Sequence, residues 1–308
     1  MDATMVAGEA WSPLRSPLAS PSTQVRCREI ELSDLDAVAD LLSEGFRRRS
    51  REAWRAALDR LSAHRPPDGL PRFGYALELG GVVVGTLLLI SSRVPGPGGS
   101  SVRSNLSCWY ARPEVRIYAP LLVNRILRLA SDSVVNISPA VTTLRTIEAQ
   151  GFRRVSGGAW SVVPALGSPR FRVKVMSFPS RRPAEVSLDP AEAELLRDHA
   201  RFGCITLCCR AGGRDHPFVF RRRRVDRIPV PCAHLVYCRD IADLGRFAGP
   251  IGRFLAKHGI LWMIVQADSL PPGLVGRYYA DRMPVYVAGD VAPRPGDLAY
   301  TEFPILGF

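Results

Sequence analysis

The spacing of apolar positions changes period several times along the chain, and each change marks an element. Val25–Glu31 reads as a first strand. Leu35, Val38, Ala39, Leu41 and Leu42 then recur at helical spacing behind Ser33 and Asp36, a capping-box variant, and this helix ends near Gly45. The basic run Arg47-Arg48-Arg49 leads into a second helix with Trp54, Ala57, Leu58 and Leu61 on one face, stopped by Pro66-Pro67. Phe73–Leu79 and Val82–Ile90 flank Gly80-Gly81, a hairpin signal, because both glycines tolerate positive φ. Val82–Ile90 is apolar on consecutive positions, the pattern of a central strand covered on both faces. Pro95–Ser100 reads as a loop.

Next comes a strand, Asn105–Ala111, a tight loop, Arg112–Tyr118, and a helix, Ala119–Ala130. A short strand, Val134–Ile137, and a second helix ending at Gly151-Phe152 complete this half. A strand that runs through a short loop into a helix N-terminus is suited to anions, since the first helical N–H groups lack partners and the dipole favours negative charge.

Pro164, Pro169, Pro179 and Pro183 punctuate an interdomain segment at 164–186, with Phe171–Phe178 alternating like a strand inside it. Beyond it the rhythm resumes. Asp189-Pro190 opens a helix over Ala191–His199, followed by strands Gly203–Cys209, Phe218–Arg222 and Ala233–Tyr237. A helix over Ile241–Lys257 closes at Gly259 before the apolar strand Ile260–Gln266. Gly273–Ala280 reads as a short helix, and Pro284–Val287 and Leu298–Phe303 as final strands. The expected division is a loosely ordered tail at 1–24, one α/β domain at 25–163 and a smaller one at 187–308.

At 308 residues, two domains are the expectation. No apolar run approaches the roughly 20 residues that span a bilayer. Met1 to Thr23 lack the features of a secretory signal, which makes cytoplasm the expected compartment. The net charge of +12 is almost wholly arginine, with Lys174 and Lys257 the only lysines. That field favours anionic partners: a cluster of phosphates, nucleic acid or an acidic membrane. Arg221-Arg222-Arg223-Arg224 is the densest cluster. It lacks interleaved aromatic residues and a recognition module, so no specific nucleic-acid binding is expected and a solvated strand end is.

Seven cysteines without regular spacing fit reduced thiols. On the strand Gly203–Cys209, Cys204 and Cys208 share a face and Cys209 points the other way. With His199, His216, Cys232, His234 and Cys238 they form no metal-binding pattern, so no metal is expected. No Gly-x-Ser-x-Gly, phosphate-cradling Gly-Lys-Ser/Thr or His-Glu-x-x-His segment occurs.

Three segments carry a resemblance. Pro113-Glu-Val-Arg116 followed by Ala119, then Asn136-Ile-Ser138, then Ile147-Glu-Ala-Gln-Gly151-Phe152 match in order and spacing the cofactor half of the GNAT superfamily, the acyl-CoA-dependent N-acyltransferases. The match covers residues 25–163. The element order of 187–308 resembles the same core without its opening elements, a second and reduced copy. The fold this implies is α/β: a GNAT-like mixed central sheet flanked by helices, with a smaller GNAT-like α/β lobe behind it.

The resemblance implies transfer of an acyl group from acetyl-CoA or a longer acyl-CoA to an amine or hydroxyl acceptor, small molecule or protein. It implies cofactor contacts at Trp109, Ala111, Arg116, Ile117, Tyr118 and Ala119, and at Asn136 and Ser138. Ser138 with Pro139 also reads as a helix cap. The strands Val82–Ile90 and Asn105–Ala111 would splay around the pantetheine arm, with the acceptor entering between the lobes. Departures from the family pattern are as specific as the matches. Ala119 and Leu121 stand where the loop has glycines, and Pro120 deletes a donor. Ile147 replaces the family's tyrosine acid, and Val82–Ile90 holds no glutamate base. Tyr110 and Cys108 are the substitutes within reach. The same departures fit an alternative, a catalytically degenerate module that binds acyl-CoA or regulates.

Overall fold

The computed structural model of the protein describes residues 24–96, 99–167, 173–179, 186–225 and 230–308. The expected tail therefore lies, but for Gln24, outside the described residues, as do Phe171 and Arg172 of the expected strand Phe171–Phe178.

The first half contains β1 (Arg26–Glu29), α1 (Leu35–Gly45), α2 (Arg51–Ala63), β2 (Gly74–Leu79), β3 (Val82–Gly96), β4 (Gly99–Ala111), α3 (Pro120–Ile126), β5 (Ser133–Asn136), α4 (Leu144–Ala149) and β6 (Arg153–Val162). The second contains β7 (Lys174–Ser177), α5 (Pro190–Arg201), β8 (Ile205–Ala211), β9 (Arg214–Arg223), β10 (Cys232–Cys238), α6 (Ile241–Arg246), α7 (Ala248–Ala256), β11 (Trp262–Gln266), β12 (Gly276–Gly289) and α8 (Glu302–Leu306).

The twelve strands of the described residues form one sheet, in the order β1-β2-β3-β4-β5-β12-β6-β11-β10-β9-β8-β7. Only β4–β5 and β10–β11 are parallel, each joined by a helical crossover: α3 in the first half, α6 and α7 in the second. Around these crossovers both halves follow the same order of strands, while the second has one helix after its first strand and none between its last two strands. They exchange strands at the centre: β12 of the second half pairs with β5 of the first, and β6 of the first pairs with β11 of the second. β6 and β12 pair with each other between them. The two halves therefore share one sheet, and neither completes it without the other's last strand.

Helices α1, α2, α5 and α8 cover the front face, and α3, α4, α6 and α7 cover the back. The apolar stripe of α1 and α2 is fully used: Leu35, Val38, Leu41, Leu42, Trp54, Leu58 and Leu61 are all buried. Each large side chain stabilises by roughly 1.5–3 kcal/mol through removal from water. The α1 cap lies earlier than Ser33. The Glu31 N–H donates to Asp34 Oδ2 at 2.8 Å, and Arg28 grips the same carboxylate at 2.6 and 2.9 Å. That hydrogen-bonded guanidinium holds the Asp34 carboxyl below its ordinary range.

Several elements differ from the sequence reading. Pro95, Gly96, Gly99 and Ser100 belong to β3 and β4, whose ladder continues to Gly96 and Gly99, where a loop was expected. Ile241–Lys257 is two helices broken at Phe247, because Pro250 cannot donate to the carbonyl of Arg246. Gly273–Ala280 enters β12, where Gly276–Ala280 pairs with Gly158–Val162 of β6. Leu298–Phe303 is not a strand. Beyond the Leu298 N–H, which reaches Val236, and the Tyr300 N–H, which donates to His199 Nε2 of α5, side chains of β4 take up its backbone groups.

Those side chains form a buried polar row. Arg103, Asn105 and Ser107 lie at alternate positions on the front of β4, only 5%, 1% and 4% exposed. Arg103 donates to the Asp297 carboxylate at 3.2 and 3.3 Å and to the Ala299 carbonyl at 2.8 Å. Asn105 Oδ1 accepts the Glu302 N–H at 2.8 Å. The same segment joins β10, where the Leu298 N–H donates to Val236 and the Cys238 N–H to Gly296. Among the described residues, no helix is long and apolar enough to cross a membrane.

Replacing Asp297 by Ala strands the buried Arg103 guanidinium and should cost about 3–5 kcal/mol in denaturant unfolding. An Arg103→Met, Asp297→Leu double variant should recover most of that loss. Equal stability of Asp297→Ala and the parent would show that the pair does not hold the segment.

Candidate functional site

β4 and β5 pair in register only at Arg103–Asn105 with Ser133–Val135. Past Leu106 and Asn136 their pairing ends, while the other edge of β5 is paired with β12 throughout. The wedge therefore opens between β4 and β5. It does not open between Val82–Ile90 and β4 as the sequence suggested: β3 and β4 stay bonded from Gly85/Ala111 to Gly96/Gly99.

One irregularity interrupts that ladder. Ser107 opposes Leu88 and Tyr110 opposes Thr86, so Cys108 and Trp109 together face Leu87, a β-bulge. Cys108 has φ 55°, the left-handed region, at a cost of about 1–3 kcal/mol for a non-glycine residue. The bulge turns Ser107 and Cys108 to the same front face, where Ser107 Oγ lies 3.2 Å from Cys108 Sγ. It also takes one residue out of the ladder, on the strand that borders the wedge.

Glu302, the first residue of α8, closes the front of this wedge. Its carboxylate accepts from Ser138 Oγ and is hydrogen-bonded to Ser107. It is buried, and burial pushes its pKa up to about 7 against the opposing pull of the two serines and Arg223. A carboxyl in this range exchanges protons near neutrality, as a general base must. Burial and the nearby Glu302 carboxylate also push the Cys108 thiol up, which keeps it a neutral thiol packed under α1 and α2. Opposite the bulge, the hydroxyl of Thr86 is buried with no partner among the described residues.

The other residues singled out in the sequence divide among three places. Tyr110 is half-buried on the front, its ring 6.2 Å from Phe46. It presses on the end of α1, where a Cβ at Gly45 would come within 2.5 Å of the ring, so only glycine fits. Asn136 ends β5 and is buried, and Ser138, two residues beyond it, is exposed beside Glu302. Trp109, Ala111 and Ala119 lie at the back, where Trp109 Nε1 donates to the Ala119 carbonyl at 3.2 Å.

Between these, Pro113–Tyr118 is a 3₁₀ helix and not an open loop. The Val115 N–H donates to Arg112 and the Ala119 N–H to Arg116, both at 3.1 Å, so these amides are taken up by the turn itself. Arg116, Ile117 and Tyr118 project into solvent from it, Ile117 to 79%. An anion here would meet the Arg116 side chain, not a cradle of amides.

In front of the central strands lies a cavity of about 910 Å³, bounded by Arg48, Ser161, Arg224, Trp262, Tyr279 and Phe308 among others. The arginine run feeds it by strand alternation, in place of the solvated end expected. Arg221 turns inward to donate to the Phe202 carbonyl at 2.8 Å, and Arg223 is enclosed, while Arg222 and Arg224 face out. Arg223 lies 3.1 Å from His234 Nδ1, and its guanidinium sits 5.1 Å over the Phe303 ring, one residue from Glu302. Burial, with Arg223 beside it, pushes His234 well below its ordinary pKa and keeps it neutral, so Nδ1 accepts.

Glu302 is the residue that sequence reading passed over. Its one signal was a single carboxylate inside the apolar run Tyr300–Phe308. On β8, Cys208 joins the α5 side and Cys209 the α7 side, and both are buried thiols.

No protein-family model matches this sequence, and no curated protein matches it. Solved structures do. A GCN5-related N-acetyltransferase from Anabaena variabilis aligns over 86% of this chain and 72% of its own, at TM-score 0.57 and 12% identity. A structure from Pyrococcus horikoshii named for acetyltransferase activity aligns over 90% and 93%, at TM-score 0.54 and 11% identity. A GCN5-related N-acetyltransferase from Kribbella flavida aligns over 86% and 70%, at TM-score 0.52 and 13% identity. With its parallel β4–β5 wedge, bulged β4 and repeated strand order, the chain carries the GCN5-related N-acetyltransferase (GNAT) fold, doubled within one continuous sheet.

Proposed function

We propose that the protein transfers an acyl group from an acyl-CoA to an amine acceptor. The observation that carries this reading is the buried Glu302 carboxyl at the open end of the β4–β5 wedge, bonded to Ser138 and Ser107 next to the bulge. The relatives in the same fold, named as acetyltransferases, support acyl-CoA as the donor.

In this scheme the thioester carbonyl lies at the bulge, where a backbone N–H outside the ladder stabilises the charge that develops on oxygen. The acceptor nitrogen attacks the carbonyl carbon, the new C–N bond forms and the C–S bond breaks. Ser138 passes the proton lost by nitrogen to Glu302, which gives it back to solvent through the exposed Ser138 hydroxyl once the product leaves. The Tyr110 hydroxyl returns a proton to the departing sulfur and recovers it from solvent. Arg116 meets phosphate from the exposed 3₁₀ turn through a charge-assisted contact.

The closure of Pro113–Tyr118 into a 3₁₀ helix favours a second reading, a module that binds acyl-CoA weakly and does not turn it over. The two readings separate on thiol release.

Calorimetry with acetyl-CoA and longer acyl-CoAs should show binding that weakens about tenfold in Arg116→Ala, the worth of one charge-assisted contact. Absence of heat with every acyl-CoA would defeat both readings. Glu302→Gln should lower kcat by about 10²–10³ and flatten the rise of rate near pH 7, with acyl-CoA affinity unchanged.

The same substitution has a separate readout in stability. The folded Glu302 carboxyl titrates at about 7, above its ordinary value of 4.5, so its favourable contribution is complete below pH 4.5 and is lost as pH rises through 7. Thermal unfolding should therefore show Glu302→Gln matching the parent at pH 4.5 and exceeding it at pH 8, by up to about 3 kcal/mol. A constant difference across that window would mean that the carboxyl is not buried as described.

A further inference from the structure

We infer that the acceptor is a small aromatic or flat apolar amine bearing an anionic group, a carboxylate or phosphate, bound in the front cavity. This rests on the acyl-transfer reading for the use of the ligand, but not for its binding.

The shape of the cavity follows from strand register. On β6, in the middle of the cavity floor, the front-facing residues are small: Ala159 and Ser161. Their neighbours are large. Ser161 pairs with Ile264 of β11, beside Trp262, and Ala159 pairs with Tyr279 of β12, whose ring is 43% exposed. Small residues between two lines of large ones leave a trough with flat aromatic walls. Its volume of about 910 Å³ falls within the usual range of roughly 300–1,000 Å³ for small-molecule pockets.

The charge is one-sided. Arg48 after α1, Arg223 and Arg224 at the end of β9, and Arg282 on β12 all border the cavity, and its described lining includes no Asp or Glu side chain. Arg223 is fixed by His234 and Phe303 on the side toward Glu302, whereas Arg224 and Arg282 are exposed at the rim. Four cations around one concave site raise the local concentration of anions and repel a ligand of purely positive charge. They also favour the neutral over the ammonium form of a bound amine, and the neutral amine is the form that attacks a thioester. An anion at Arg224 and Arg282 would leave the amine end directed toward Arg223 and Glu302.

The test uses four probes on one ring in the absence of acyl-CoA: para-(aminomethyl)benzoate, its methyl ester, para-(aminomethyl)phenylphosphonate and para-xylylenediamine. Binding is followed by calorimetry and by quenching of tryptophan emission. The acid or the phosphonate should bind at least about tenfold more tightly than the ester, the gain of one charge-assisted contact, and the diamine most weakly. Whichever anion binds better identifies the group recognised. Arg224→Ser with Arg282→Ser, both on exposed side chains, should erase the preference for the anions while leaving the ester and the melting temperature unchanged. Trp262→Leu should weaken all four. Equal affinity for acid and ester, tightest binding of the diamine, or no binding by either anion overturns the inference. Anion binding that persists while no acyl-CoA binds would instead sink the acyl-transfer reading alone.

Discussion

The ion pair and hydrogen bonds between the front of β4 and the segment Asp297–Glu302 hold the rest of the molecule in place. Arg103 and Asn105 are buried polar groups that must be satisfied, since each left unpaired would cost about 1–3 kcal/mol or more. Their partners come from nearly two hundred residues later in the chain. In meeting that demand they draw the C-terminal segment across the sheet, between α1 and α2 on one side and α5 on the other. The segment also pairs with β10, so one stretch of chain ties the corresponding strands of both halves together.

The site is a consequence of that docking. Asn105 fixes the N–H of Glu302 at the point where β4 and β5 part, and α8 then runs outward under Arg49 and Arg60, which donate to its last carbonyls. Glu302 arrives in a place with two serine hydroxyls and one distant guanidinium but no full ion pair, which is why its pKa rises instead of falling. Arg223 is enclosed by the same helix through Phe303, and it also borders the cationic cavity. Stability and chemistry thus share their residues. A substitution that loosens the segment would disturb the cavity, the carboxyl and the joining of the halves at once.

The bulge at Cys108 works in the other direction, trading local strain for geometry. A non-glycine residue at φ 55° persists because the front is packed by α1 and α2 and the back by Trp109 against the Ala119 carbonyl. Gly45 makes room for the displaced Tyr110 ring. Neighbouring helices therefore determine where β4 leaves β5.

Local pattern alone determined most of the elements. The apolar stripes of α1 and α2, the glycine pair between β2 and β3, and the consecutive apolar run of β3 each fix a periodicity that tertiary contacts had no reason to override. The order of those elements was enough to make the GNAT fold legible. Failures came where backbone groups found partners far away in sequence. Gly276–Ala280 is strand because β6 lies beside it, and Leu298–Phe303 is irregular because Arg103 and Asn105 take its backbone groups. Arg103, Asn105 and Ser107 alternate as polar residues along β4, yet burial depends on what covers a strand, and its cover is the C-terminal segment. The same holds for Glu302. A sequence shows that a carboxylate is present, whereas its pKa is set by desolvation and by neighbours that only the fold assembles. Residue types and periods fixed the framework. The wedge, the raised carboxyl and the cationic trough were decided by contacts between segments, whose energies no local window contains.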